Sequence, residues 1–264
     1  MMSKKLFSIA ICSFFFISCT KEINIDLNSS NSQLVIEGSI TDESGPYFVK
    51  LSKTINFSES NNFPSVTGAM VIVSDNTGVV DTLTETASGT YQTSSIVGQH
   101  GSTYTLKVLV EGKEYNAITT MPYKVNLDSI QFESDNAFNE NTFEFVPVYL
   151  DPATERNNYR FKLTVNGETD NSFLVNNDNN SNGLINQQSF SSDDVKIFEG
   201  DTVIISMFCI DSDTYTYYKT LEELLGSNPI FSATPANPPN NITGNKALGH
   251  FSAYTTQSII QVAK

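Results

Sequence analysis

The sequence predicts a mainly β protein: an N-terminal immunoglobulin-like β-sandwich, then a second β-rich, sandwich-like domain with one short α-helix. Three observations carry that expectation. Short runs of β-branched and aromatic residues with period-two alternation recur along the chain. Turn-forming clusters of Asn, Asp and Gly separate them. Asn, Ser and Thr number 27, 31 and 26 of 264 residues, a composition that favours turns and exposed strand faces over helix interiors. With 39% hydrophobic residues, 18 Phe and 11 Tyr, the chain holds enough apolar material for a core, which excludes disorder of the whole chain.

The first segment, 1–18, reads as a secretion signal. Lys4 and Lys5 supply positive charge ahead of a 12-residue apolar run, Leu6 to Ile17, broken only by Ser8 and Ser13. As a helix such a run rises about 18 Å, short of the roughly 30 Å hydrocarbon core, so it does not read as a membrane span. Ser18-Cys19 at its end is similar to the lipobox of bacterial lipoproteins. That motif implies cleavage before Cys19 and acylation of its sulfur and new amine with palmitate-type chains. Phe16 stands where the motif more often has Leu. Residues 19–32 lack periodicity and read as a flexible lipidated tether. Lys21, Glu22 and Asp26 there are similar to the short signal that sends some lipoproteins to the outer face of the outer membrane.

Residues 33–121 form the first expected domain. QLVIEGSI, YFVKLS, AMVIVSD, VVDTLTE, TYTLKVLVEG and KEYNAITT read as strands. Asp75 to Gly78 and Glu111-Gly112 read as hairpin turns between neighbours. About seven strands in about 90 residues is the immunoglobulin-like pattern. Met121-Pro122 closes the unit, because proline interrupts a ladder. Residues 122–264 form the second domain, with strands expected at 125–133, 142–150, 158–167, 172–176, 183–190 and 201–211. The spacing predicts a helix over 214–225, with Asp213 as N-cap and Gly226 as its stop, followed by Pro229. Its apolar stripe is Tyr218, Leu221, Leu224 and Leu225, and its tyrosines are expected to pack onto a sheet, with carbohydrate stacking as the alternative.

Little in the residues points to catalysis. The two histidines, His100 and His250, lie in unrelated contexts, and no zinc-ligand spacing, GxSxG, HExxH, P-loop or GxGxxG is present. The acid pairs Asp193-Asp194, Glu222-Glu223 and Asp211/Asp213 have the chemistry of glycoside hydrolysis, but that reaction needs carboxylates about 5–10 Å apart, a separation that chain spacing does not set, and acids are abundant in so acidic a chain. Asp178 to Gly183 matches the start of a calcium loop, but its twelfth position is Ser189 rather than a carboxylate, and a polar hairpin loop is expected. Cys209 sits in the apolar run VIISMFCI and reads as a small buried hydrophobe. With Cys12 lost in the signal and Cys19 acylated, it has no disulfide partner. Asp81-Thr82-Leu83, Asp128-Ser129-Ile130 and Asp201-Thr202-Val203 are similar to an O-glycosylation tripeptide of some exported bacterial proteins. The Pro/Asn-rich stretch Thr234 to Gly244, flanked by Phe231 and Tyr254, is long for a simple connection and reads as a surface loop packed by its own prolines, with contact to a TonB-dependent transporter or its cargo as the sharper alternative. A net charge of −14, deepened when Lys4 and Lys5 leave, argues against nucleic-acid binding. No cofactor or metal is expected.

Several stretches, in order, carry a resemblance. They are CTKEINIDL, LVIEGSITDESGPYFVKLSKT, FPSVTGAMVIVSDNTG, TYTLKVLVEGKEYNAITTMP, VNLDSIQF, VYLDPATERNNYRFKL and PPNNITGNKALGHFSAY. From about residue 19 to 254 the chain resembles a Bacteroidota outer-membrane lipoprotein family defined as a domain of unknown function. Its members are often encoded beside TonB-dependent receptors. The resemblance implies a surface-exposed protein held in the outer membrane through Cys19, and carries over no other site residue. It implies a non-enzymatic accessory or ligand-binding partner of a TonB-dependent transporter. The alternative is a surface adhesion or structural lipoprotein with no transport partner; a secreted hydrolase is a weaker third reading.

Replacing Cys19 by Ser should abolish acylation and shift the protein from the membrane to the soluble fraction, since several acyl chains hold a protein where one does not. Mass spectrometry of the mature N-terminus reads this directly: an unmodified Cys19 in the native protein overturns the anchor.

Overall fold

The computed structural model describes residues 32–56, 62–135, 141–192, 194–225 and 237–264. The signal segment, Cys19, the tether up to Asn31, Asp193, Gly226, Pro229, Phe231 and residues 234–236 of the Pro/Asn-rich stretch lie outside the described residues. The fold is mainly β. Among the described residues one helix forms, α1 (Ser212–Leu225). No described helix is long and apolar enough to cross a membrane.

The first strands alternate as their sequences require. β1 (Leu34–Thr41) and β2 (Phe48–Lys53) turn Leu34, Ile36, Ile40, Val49 and Leu51 inward and Glu37 and Lys50 outward. β3 (Met70–Asp75) and β4 (Val80–Thr82) are joined by the expected turn. There the Asp75 carboxylate accepts the Thr77 and Val79 N–H groups, and Gly78 takes φ 98°. β5 (Thr84–Ala87) and β6 (Thr90–Gln92) are short, β5 forming the sheet edge and β6 lying between it and β2, and β7 (Thr103–Val110) and β8 (Lys113–Thr120) form a hairpin. Its two turn residues, Glu111 and Gly112, both have positive φ (51° and 72°), as a primed turn demands.

In the second half, β9 (Ser129–Asp135) pairs with β10 (Thr142–Val148), while β11 (Asn158–Val165) pairs with β12 (Glu168–Thr169), β13 (Leu174–Asn177) and β14 (Thr202–Ile210). β15 (Ile242–Gly244) and β16 (Ala247–Val262) close the chain. Residues 125–128 carry no strand. The expected strand at 183–190 reduces to isolated bridges of Ile185 to Leu150 and Phe190 to Phe145, where the Asn186 side chain bonds the Pro147 carbonyl and the Gln188 N–H instead of leaving the backbone to extend a ladder.

Two cores fill this framework. One joins Ile36, Leu51, Tyr91, Tyr104, Leu106 and Met121 between the β1-β2-β6 layer and the five-stranded sheet β15-β8-β7-β3-β4. The other holds Phe145, Tyr149, Tyr159, Phe161, Ile205 and Cys209. Residues 32–264 nevertheless cluster as one compact unit. The reason is β16. Its first half pairs parallel with β1, Leu34 opposite Ala247 through Thr41 opposite Tyr254, and delivers Ala247, Phe251 and Ala253 to the first core. Its second half pairs antiparallel with β14 and delivers Ala263, just beyond its end, to the other core. Nine strands are thereby linked in one sheet.

Side chains reinforce the junction. The Asp211 carboxylate accepts the Thr119 hydroxyl (2.7 Å), and Thr119 Oγ1 accepts the Ala253 N–H (3.1 Å). Asp42 accepts the Thr256 N–H (2.8 Å) and pairs with Lys124 (3.0 Å). Gln257 clasps the Leu127 backbone with both ends of its amide (3.1 and 2.9 Å). Cys209 is buried, as expected for a small apolar side chain. Its sulfur accepts the Val125 N–H, and burial pushes its thiol pKa up.

Gly249 lies within the parallel ladder at φ 99°, and a Cβ there would stand 2.0 Å from the Ile36 carbonyl oxygen. Gly249→Ala must therefore displace backbone, and should destabilise the protein by about 3 kcal/mol or more, read as a drop in denaturant midpoint. An unchanged midpoint would contradict the β1–β16 register.

Candidate functional site

Helix α1 starts where β14 ends. Its N-cap is Asp211 rather than the expected Asp213: Asp211 Oδ1 accepts the Thr214 N–H (2.8 Å), and its carbonyl accepts the Tyr215 N–H. Asp211 already bonds Thr119, so the sheet junction also fixes the direction in which the helix leaves. The helix packs on β11, β13 and β16. The side it turns to them is Thr214, Tyr217, Tyr218 and Leu221, one turn earlier than the expected stripe, and Leu225 is 69% exposed.

The contacts along that side form a chain. Thr214 is fully buried and its hydroxyl meets His250 Nε2 at 3.0 Å. The His250 ring stacks on Tyr217 (centroids 4.7 Å, 16°), and Tyr217 meets Tyr218 edge-on (5.4 Å, 76°). Tyr218 stacks on Phe173 (5.5 Å), and the Arg160 guanidinium carbon lies 4.1 Å from the Tyr218 ring centroid. Phe208 and Phe173 stand 5.6 and 6.0 Å from the same cation, and Phe208 meets Tyr254 edge-on at 5.3 Å. Tyr215 is outside this chain, and its hydroxyl accepts from Asn177 (2.8 Å).

Between this helix side, the outer face of β1, β2 and β16, and the 43–47 segment lies a cleft of about 640 Å³. That volume is within the range of small-molecule sites. Its walls combine aromatic rings with Glu37, Glu43, Lys50 and Arg160 and the hydroxyls of Ser39, Thr41, Ser44 and Ser252. The 43–47 wall is held in place. Tyr47 donates its hydroxyl to the Glu43 carbonyl (2.6 Å) and accepts the Gly98 N–H (2.9 Å), while its own N–H bonds Thr93. Burial pushes the Tyr217 and Tyr218 hydroxyl pKa values up, with the Arg160 charge partly offsetting this at Tyr218. Burial pulls the His250 pKa down from 6.5, against the opposing pull of Asp211 and Asp213.

Of the residues singled out by sequence, His250, Tyr254 and the helix tyrosines Tyr217 and Tyr218 come together here. His100 is elsewhere, exposed and beside Tyr123 (5.3 Å). The Asp178 carboxylate is buried and accepts the Asn157 N–H (2.9 Å), and Asn179 accepts from Arg156, so two leading residues of the calcium-like stretch are engaged in holding its hairpin. Asp81 and Asp201 of the glycosylation-like tripeptides serve turns. Burial would raise the Asp81 pKa, but the N–H groups of Ser95, Ile96 and Ser94 hold it at about 2. Asp201 caps the Phe198 N–H (2.8 Å). The described part of the Pro/Asn-rich stretch is tied down: Ile242–Gly244 pairs with β8, and the Asn241 amide bridges the Ile118 and Phe251 carbonyls. Arg160 was the residue missed. One signal was present, for it is one of only two arginines among 15 Lys+Arg, set between Tyr159 and Phe161.

The chain belongs to the DUF4249 family, a domain of unknown function, whose family model matches residues 20–260. No match was found among curated proteins.

Because His250 is held neutral, the unfolded chain binds more protons than the folded one below the ordinary histidine value of 6.5. Its contribution to stability is present above that pH and is lost as pH falls through it towards the lowered folded value. Melting temperature should therefore fall between pH 7.5 and 5.5, and His250→Gln should flatten that dependence. Identical slopes in the two proteins would show that His250 is not held neutral by burial.

Proposed function

We propose that this DUF4249 chain is a non-enzymatic outer-membrane lipoprotein, held by lipid on Cys19, that binds a small ligand as accessory to a TonB-dependent transporter. The observation that carries the ligand-binding part is the cleft of about 640 Å³ under α1. Aromatic rings give such a site apolar contact area, and convergent charged and hydroxyl groups orient what binds. Two things make the cleft preorganised: Asp211 fixes the start of the helix, and Tyr47 fixes the opposite wall.

The membrane and transporter parts rest on other observations. The charged, apolar and Ser18-Cys19 segments follow one another as a lipoprotein signal does. The family resemblance supplies the neighbourhood of TonB-dependent receptors. In this proposal the ligand site on the anchored protein concentrates cargo for the transporter.

Pull-down of the tagged full chain from detergent-solubilised outer membranes should recover a TonB-dependent transporter by mass spectrometry. Recovery of the acylated chain with no such transporter would favour an adhesion or structural role and count against this reading.

A further inference from the structure

The Arg160 cation in the cleft wall has no ion-pair partner among the described residues, and its positive charge is permanent. Its Nε is buried with no hydrogen-bond partner. Buried polar groups in native proteins are almost always paired, so an arginine left this way at a cleft wall calls for an explanation. The stacking geometry supplies one. With the Tyr218 ring 4.1 Å away, Phe208 and Phe173 beside the cation and one side-chain hydrogen bond shared with Tyr218, Nε–H is the donor left free. The Nε edge of this planar group presents paired N–H donors that match the two oxygens of a carboxylate or of a sulfate ester. A second unpartnered atom lies in the same wall: His250, 8% exposed, leaves Nδ1 buried without a partner.

The rest of the cleft fits a saccharide. Glu37 projects from β1, separated from β11 and its Arg160 by β14 and β16 in the strand order. The Glu37 carboxylate can accept hydrogen bonds from sugar hydroxyls, the Ser252 hydroxyl can donate or accept them, and the tyrosine rings offer apolar faces to the C–H side of a sugar ring. The overall charge of −14 repels an anion at long range, but salt screens that repulsion beyond about 8–10 Å, so the local guanidinium decides.

Resting on the reading of this cleft as a ligand site, we infer that its ligand is an acidic saccharide whose carboxylate or sulfate is held by the Arg160 guanidinium. The test is calorimetric titration of the detergent-solubilised full chain with three trisaccharides on one galactose backbone: uronate-bearing, sulfate-bearing and neutral. One or both charged forms should bind at least about tenfold more tightly than the neutral form, and the tighter of the two identifies the anion. Arg160→Gln should abolish that preference, and Arg160→Lys should weaken it, since lysine keeps the charge but loses the fork. Lys162→Gln, two residues along the same strand and exposed, should leave binding unchanged. Melting curves verify that each variant is folded; should Arg160→Gln not fold, Arg160→Lys carries the test. Equal binding of charged and neutral forms would overturn the anionic anchor while leaving a ligand cleft. Binding of none would overturn the saccharide assignment, and the transporter pull-down judges the broader function independently.

Discussion

The parallel pairing of β1 with the first half of β16 is the constraint on which the rest depends. A strand of 16 residues is long for a globular protein, and here its length serves two partners in succession. Through Thr41 opposite Tyr254 it is bound to β1; from Thr255 onward it is bound to β14. Each half contributes apolar side chains to a different core, so the cores cannot separate without breaking a central ladder. The polar clasps of Asp42, Thr119, Asp211 and Gln257 gather around the changeover. Their clustering follows from need: backbone groups where a strand changes neighbours lack a regular ladder and must be satisfied by side chains.

The cleft is a by-product of this arrangement. The same strand that ties the cores presents His250, Ser252 and Tyr254 on its outer face, beside Glu37 of β1. α1, launched from Asp211, covers part of that face and leaves the remainder open. The helix is secured by aromatic stacking rather than by aliphatic burial, since Thr214 is its one buried residue among those described. Stacked rings give up less of their surface than a leucine stripe in a core would, which is why the tyrosines remain accessible from the cleft.

Much of the fold was legible because its causes are local. Alternation in LVIEGSI, the Glu111-Gly112 turn and the apolar run that contains Cys209 each announce their structure within a few residues. The shift of the N-cap from Asp213 to Asp211 was not legible, because both are good caps and the choice depends on Thr119, which lies 92 residues away along the chain. The stretch 183–190 looked like a strand by alternation, but Asn186 turns its amide to the Pro147 carbonyl (2.7 Å), a partner that only the tertiary structure supplies. Arg160 was hidden for a similar reason. A cation at an outward strand position is ordinary in sequence; it became notable only when Tyr218 of α1, Phe208 of β14 and Phe173 just before β13 converged on it.

The pairing of the first described strand with the last has a kinetic meaning. Leu34 finds its neighbour at Ala247, so the loop closed by this contact contains nearly the whole domain. Closing it costs entropy before the contacts repay it, and topologies dominated by such distant pairings fold slowly. β1 and β2 can form their hairpin early, yet the edge of β1 that accepts β16 stays open until residues 247–254 reach it. An incomplete chain therefore carries an unpaired edge beside Leu34, Ile36 and Ile40, the kind of surface to which chaperones and proteases respond. The arrival of β16 beside β1 is the step that lets the fold close.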